Sequence, residues 1–410
     1  MSVGEATPEE IAPPAGKGGD LSMRTGRGRA AIFGFAAAHF SHHVTNSLLA
    51  PLMPLIATTF GLNYTQQGFA VSAMSIPQGL SNAPMGVLAD RIGPRIVLAG
   101  GLVLLGLSSV AISQAAEYWH LLVFLAAMGL ISGTYHAPAV ALIARAFPER
   151  GRGAVMGLHT TGGHLSFFAA PLVAGVVAVA AGTWRAPYLL FAIAPILSGI
   201  ALYQLAPKAH VRPPSRGRLA ALREIAAVFR AVGNVVTLSI LFQVGFAAFL
   251  GFLAVYLVDA RGLNVAVAAA LYGLPQLAGI VGAPFGGWLS DRIGRRAVIA
   301  IGLGALGPAI LVFTVTPTEL VFLPLLVIGV AGAVRMTVTE VLVAENAPVE
   351  RRATVLGTYY LLAVEVGGFA APVLGAIAVG IGIAAAFSYM AIALTVLSGV
   401  VVLAALTRRL

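Results

Sequence analysis

Two short charged stretches decide the fold of this chain: GVLADRIGPR at Gly86–Arg95 and GGWLSDRIGRR at Gly286–Arg296. Each places an acid, arginines and glycines between two long apolar runs, and the two acids, Asp90 and Asp291, lie about 200 positions apart. A charged turn between apolar helices is typical of a loop that joins two membrane spans. Because the turn recurs, the sequence predicts a membrane protein built from two similar halves.

The composition supports this interpretation. Of the 410 residues, 59% are hydrophobic and only 10% are charged, whereas a soluble domain carries about a quarter charged residues. The apolar runs are continuous, which favours helices over the alternating strands of a barrel. We predict an all-α membrane protein with 12 transmembrane helices in two six-helix, pseudo-repeated halves. The chain has no cysteine, which excludes disulfides and thiolate metal sites.

The order of the segments follows from the apolar runs. We predict a disordered tail at 1–29, a first half at 30–206, a linker with an amphipathic helix at 207–234, and a second half at 235–410. The predicted spans lie at roughly 31–56, 67–89, 96–115, 120–146, 153–180 and 186–206, and then at 235–258, 266–289, 297–316, 320–345, 353–379 and 384–406.

The basic residues predict the orientation. With both termini in the cytoplasm, every lysine and arginine except Arg185, Arg261 and Arg335 falls in the tail, the linker or a cytoplasmic loop, as the positive-inside rule requires. The net charge of +10 then reflects topology, and we expect no nucleic-acid partner. We predict a monomeric, multi-pass protein of the inner (plasma) membrane.

The paired loops resemble the signature loop of the major facilitator superfamily, G-x-x-x-D-R-x-G-R-R/K, which falls between spans two and three and again between eight and nine. The resemblance implies that fold and a transporter with its substrate site between the halves. It also implies a conformational latch at the loops, although a solvated marker of topology is the alternative. The latch residues would be Gly86, Asp90, Arg91, Gly93, Arg95, Gly287, Asp291, Arg292, Gly294, Arg295 and Arg296.

A closer resemblance lies in three spans. AHFSHHVTNSLLAPLMPLI at 38–56, SGTYHAPAVALIARAF at 132–147 and TTGGHLSFFAAPLVAG at 160–175 resemble the fosmidomycin-resistance group of drug exporters. That group often has an acid after the His-Pro pair of span four, whereas here Ala137 interrupts the pair and no acid follows. The resemblance implies export of a small drug-like or anionic compound.

Histidines are concentrated inside the first half. His39, His42 and Asn46 share one helix face at i, i+3 and i+7, and His43 lies beside them. Span four contributes His136, and span five contributes His159 and His164. They are either packed core residues or groups that bind substrate or protons. We expect no metal site, because no carboxylate accompanies them in this half, and a site made of histidines alone is the less favoured alternative.

The second half carries buried ions. Arg335 lies in span ten, and Glu365 lies near the middle of span eleven. Ionisable residues inside a membrane are costly and usually functional. Glu365 would load and release a proton, and Arg335 would bind an anion, restrain Glu365, or form a structural pair with it. Glu340 would join Arg351 or Arg352 near the cytoplasm.

Energy coupling follows from what the sequence lacks. It contains no GxxxxGK[ST] loop, nucleophile–base pair or selectivity-filter repeat. We therefore expect a secondary transporter of a small molecule, with no enzymatic activity and no cofactor, that works by alternating access and proton exchange. Uptake of an organic anion with protons is the alternative to efflux, and a non-transporting sensor is a remote one. The substrate stays open.

Overall fold

The structure, a computed structural model, describes residues 21, 25–207, 218–347, 355–356, 358–359 and 366–407. In these ranges the chain forms helices and turns, without a strand. The helices of the first half are α1 (Gly26–Asn46), α2 (Leu49–Phe60), α3 (Tyr64–Ile92), α4 (Pro94–Ser113), α5 (Tyr118–Ser132), α6 (His136–Ala146), α7 (Glu149–Ala181) and α8 (Arg185–Leu205).

The second half repeats this order. Its helices are α9 (Arg218–Asp259), α10 (Val265–Ile293), α11 (Arg295–Val315), α12 (Phe322–Glu345), α13 (Ala370–Ile381) and α14 (Ile383–Leu406), with 3-10 turns at Thr318–Leu320 and Val366–Phe369. Most of the predicted tail, part of the linker and part of the eleventh predicted span, including Glu365, lie outside the described residues.

The prediction of an all-α membrane protein is confirmed. Among the described residues, nine helical segments are long and apolar enough to cross a membrane, and they match predicted spans three to ten and twelve. The first predicted span is divided between α1 and α2, the second is the polar 29-residue helix α3, and the eleventh is only partly described. The full count of twelve therefore stays a prediction.

The repeat is visible in the packing of each half. Helix α3 packs against α5 as α10 packs against α12, and α4 packs against α8 as α11 packs against α14. A Cβ atom at Gly129 would collide with the Met74 carbonyl oxygen, and one at Gly329 would collide with that of Pro275. Small residues let membrane helices approach closely. The two halves therefore use the same contact about 200 residues apart.

The charged loops are built on matching turns. Gly93 has φ 100° and Gly294 has φ 91°, a region that favours glycine because a Cβ atom is strained there. Their N–H groups donate to the carbonyls of Ala89 and Ser290 at 2.9 and 3.0 Å, which closes α3 and α10. Pro94 then opens α4 at its first position, where a missing N–H is harmless.

The first and fourth spans are interrupted at mid-bundle. Helix α1 ends at Asn46 and α2 begins at Leu49, because Pro51 has no N–H and its ring clashes with the carbonyl four residues earlier. Helix α5 ends at Ser132 and α6 begins at His136, with Gly133 and Pro138 around the break. Broken helices of this kind form the binding sites of many transporters.

Contacts between the halves concentrate at one end. We call the end with Gly93 and Gly294 the charged-loop end, and the end with Tyr64 and Asp259 the far end. At the far end the Tyr64 hydroxyl donates to Asp259 Oδ2 at 3.0 Å, and slightly deeper Ser72 Oγ donates to the Gly368 carbonyl at 2.6 Å.

Backbones also meet in the far half of the bundle. A Cβ atom at Gly68 would lie 2.5 Å from Pro372 Cα, and one at Gly175 would lie 2.6 Å from Ala269 Cβ. The described contacts between the halves therefore lie in the far half of the bundle, and we refer to them as the seal at the far end.

The turn geometry generates a stability prediction. Gly294→Ala should destabilise the protein by about 1–2 kcal/mol, since alanine at this positive φ brings its Cβ atom close to the carbonyl. The melting midpoint in detergent should fall by a few degrees. Gly287→Ala is the matched control: Gly287 lies within α10 and has open space around it. Equal midpoints for the two variants would contradict the strain.

Candidate substrate-binding site

Two glycines bring α7 against α1 at the centre of the first half. A Cβ atom at Gly162 would collide with the Ala36 carbonyl, and one at Gly163 would lie 2.6 Å from the His39 ring. The close approach lets His39 Nδ1 donate to the His159 carbonyl at 2.8 Å. His159 Nδ1 in turn donates to the Phe35 carbonyl at 3.1 Å.

These two bonds fix the form of both rings. A carbonyl oxygen only accepts, so each Nδ1 carries the proton, and in a neutral ring Nε2 is then left with a free lone pair. His43 Nε2 lies 3.1 Å from His39 Nε2 and donates to it. The structure therefore places the unprotonated Nε2 of His39 at the centre of the group, where it accepts from His43.

The rings form one contiguous group, which we call the histidine cluster: His39, His42, His43, His136 and His159. His39 stacks on His159 with centroids 4.2 Å apart, and His42 stacks on Tyr135 at 4.4 Å. His136 meets His42 at 5.0 Å and His43 at 5.3 Å.

The members of the histidine cluster differ in their exposure to solvent. His39, His42 and His159 are buried, His43 is half-buried, and His136 is exposed. His136, which begins α6 at the break in the fourth span, is therefore the member most accessible to a ligand. His42 is fully buried, and neither of its ring nitrogens has a hydrogen-bond partner.

A pair of polar side chains joins the two helix breaks. Asn46 Nδ2 donates to Ser132 Oγ at 2.8 Å, and Ser132 Oγ lies 3.0 Å from Asn46 Oδ1. Asn46 is the last residue of α1 and Ser132 the last of α5. The bridge holds the two interruptions side by side, next to the histidine cluster.

The structure brings together most of the predicted residues of the first half. His164 is exposed on α7 and makes no ring contact with the described cluster, although it is only five positions from His159. Sequence reasoning missed Tyr135 and Ser132, which hold the cluster and the helix break. Only their position beside the His-Ala-Pro break at His136 hinted at a role.

Arg335 lies in a separate place. It is buried on α12, and its guanidinium donates to the Ser239 carbonyl at 3.2 Å and to Gln243 Oε1 at 2.5 Å, both on α9. Its Nε has no hydrogen-bond partner. The described contacts therefore tie Arg335 to the seventh span. A pair with Glu365 lies outside the described residues, as do Arg351 and Arg352, the partners expected for Glu340.

The two charged loops differ in their contacts. Arg295 pairs with Asp291 at 2.5 Å and with Glu345 of α12 at 2.9 Å, so it ties three helices of the second half together. Arg95 stacks on Tyr203 at 4.4 Å. Asp90 makes no hydrogen bond or ion pair with a described residue.

This architecture is that of a membrane transporter: two repeated halves that contact each other toward one end, and polar side chains beside broken helices. The family model of the Major Facilitator Superfamily matches residues 35–372 and 241–409. The chain belongs to this superfamily. It is a multi-pass membrane protein that transports small molecules, and it is not an enzyme.

Individual relatives cover most of the chain. Multidrug resistance protein MdtG of Enterobacter lignolyticus is 26% identical over 344 residues, which is 80% of this chain and 81% of the relative. The hexuronate transporter of Bacillus subtilis is 26% identical over 62% of each chain. A bacterial homolog of the human lysosomal transporter Spinster, in an inward-facing and unoccupied conformation, superposes with a TM-score of 0.74 at 17% identity, covering 92% of this chain and 95% of that one. The fosmidomycin-resistance group stays a prediction.

The bridge between the breaks generates a double-mutant prediction. Asn46→Ala and Ser132→Ala should each destabilise the protein, because each leaves the partner without its hydrogen bond. The double variant should be less destabilised than the sum, with a coupling of roughly 1 kcal/mol, as for other membrane hydrogen bonds. Unfolding by detergent titration measures the cycle. Additive effects would show that the two side chains do not interact.

Proposed function

We propose that the chain is a proton-coupled exporter of a small drug-like or anionic compound, working by alternating access from the inner membrane with both termini in the cytoplasm. The observation that carries the proposal is the arrangement of the halves. Their described contacts lie toward the far end, and the histidine cluster lies beside helix breaks in the middle of the bundle. We infer that the halves enclose a cleft that opens at the charged-loop end.

The cluster would supply the substrate contacts. His136 and His43 are its accessible members, and Asn46 adds an amide beside them. Phe167, whose ring lies 4.5 Å from that of His43, gives the same wall an apolar surface. Imidazole donors next to an aromatic face suit a compact molecule with an acidic or polar group and an apolar body.

The relatives support both a drug-like and an anionic substrate. One relative, which matches this chain over most of its length, is named for multidrug resistance. Another is named for the transport of hexuronate, a carboxylate. The first favours export, in line with the fosmidomycin-resistance resemblance. Uptake of an organic anion with protons is the second candidate, favoured by the hexuronate relative.

We assign proton coupling to Glu365. A lone carboxyl at the middle of a predicted span is shielded from water. Because this disfavours the charged form, the group is readily protonated. Entry of a proton from outside at this group, alternating with exit of substrate, would couple the gradient to export. The protein would act as a monomer in the lipid bilayer.

The charged loops would latch the opposite state. In the conformation with the cleft open at the charged-loop end, which we infer for this structure, Asp90 has no described partner. When that end closes, Asp90 would accept hydrogen bonds from a helix N-terminus or pair with an arginine. The two copies need not act alike, because Asp291 is already engaged by Arg295.

Glu365→Gln tests the function directly. A thermal-shift screen of phosphonates, organic acids and common drugs at two pH values first supplies a substrate. In proteoliposomes, the variant should lose transport driven by an imposed pH gradient and keep counterflow exchange, since only the proton step is removed.

Glu319→Gln is the matched control for that assay, because Glu319 is an exposed acid at the far end. It should transport like the unmodified protein. Gradient-driven transport that survives in Glu365→Gln would overturn the coupling role. The sign of the pH gradient that drives accumulation distinguishes export from uptake.

Asp90→Asn tests the latch. The variant should bind substrate with unchanged affinity in the conformation described here, where Asp90 has no described partner. Its turnover should fall about tenfold, because loss of a charge-assisted hydrogen bond in the other state is worth roughly 1.5 kcal/mol or more. Normal turnover would make the loop a topological marker only.

A further inference from the structure

A group of imidazole nitrogens in the first half has the spacing of a metal site. His39, His43 and His136 each offer a ring nitrogen, and these three atoms lie within 4.8 Å of one another. We propose that these residues form a binding site for a borderline transition-metal cation of the Zn²⁺ class, open to the cleft through His136. This goes beyond the proposed function and does not depend on proton coupling.

The ligand chemistry fits such an ion. Neutral imidazole suits Zn²⁺, Ni²⁺ and Cu²⁺, whereas Mg²⁺ and Ca²⁺ prefer oxygen. Zn–N bonds of about 2.0–2.1 Å place tetrahedral ligand nitrogens roughly 3.3 Å apart. The Nε2 atoms of His39 and His43 are already 3.1 Å apart. His136, which makes no described hydrogen bond, would need to approach by at most about 1.5 Å.

The surrounding bonds orient the central ligand as metal sites do. A metal-bound histidine usually donates its other N–H to a carbonyl or carboxylate, which fixes the tautomer and the ring. His39 Nδ1 donates to the His159 carbonyl and thereby presents Nε2 to the group. An ion would take the place of the proton between His39 and His43, and that proton would move to His43 Nδ1, so both rings stay neutral.

His42 supplies an independent observation. It is fully buried, and both of its ring nitrogens lack a partner. A buried polar group without a partner costs about 1–3 kcal/mol and requires an explanation. Its ring centroid lies 4.7 Å from that of His43 and 5.0 Å from that of His136. A cation held by the other three would lie near this ring and give its unpartnered nitrogens a favourable interaction.

Equilibrium binding tests the site without any gradient. The full-length protein is purified with a histidine-free tag, stripped with a chelator, and titrated with Zn²⁺ in a calorimeter and with Co²⁺ in a spectrophotometer. We expect one ion per chain and the intense visible absorption of four-coordinate Co²⁺. His136→Ala and His43→Ala should each weaken Zn²⁺ binding by at least about tenfold.

The control is His120→Ala, at the far end of α5 and outside the cluster; its affinity should be unchanged. His136→Ala should keep the melting midpoint, because that side chain makes no described hydrogen bond. Absence of stoichiometric binding, or binding that survives in the His43/His136 double alanine variant, would overturn the site. A protein that binds Zn²⁺ but fails the proteoliposome assay would instead refute only the proposed function.

Discussion

A helix interrupted inside a bilayer leaves backbone groups that water cannot satisfy, so each interruption needs polar partners within the protein. In this chain, two interruptions lie side by side, and the Asn46–Ser132 bridge joins them. The same constraint explains the position of His39, His42 and His43, because polar side chains are tolerated near the interrupted end of α1. The site is thus located by the breaks, and the breaks are located by Pro51 and Pro138.

Much of the fold could be predicted from the sequence, because the bilayer restricts the options. Long apolar runs, a repeated charged turn and asymmetric arginines were enough for a two-half helical bundle, and the turn glycines Gly93 and Gly294 have the positive φ that such a turn needs. The boundary between the linker and the seventh span was harder to predict, because a single helix, α9, runs unbroken from Arg218 to Asp259. Helical periodicity does not reveal where one helix ends and the next begins when no breaker stands between them.

The site was only half visible, for a geometric reason. Periodicity placed His39, His42 and Asn46 on one face, but it carries no information about which span faces that side. Tyr135 therefore went unnoticed, and His159 joined the cluster while His164 did not. A similar depth in the membrane also suggested Glu365 as the partner of Arg335. The described partners of Arg335 are instead on α9. Distances between imidazoles, which decide whether an ion fits, emerge only in three dimensions.

The seal at the far end has a consequence for the balance between conformations. It is made largely of backbone against backbone, as at Gly68 and Pro372, with the Tyr64–Asp259 hydrogen bond as a small addition. Such a seal stores little energy per contact, yet it has no room for one extra carbon atom. A single added methyl group there would push the two halves apart. The small residues at the seal therefore help to set the equilibrium between the two conformations.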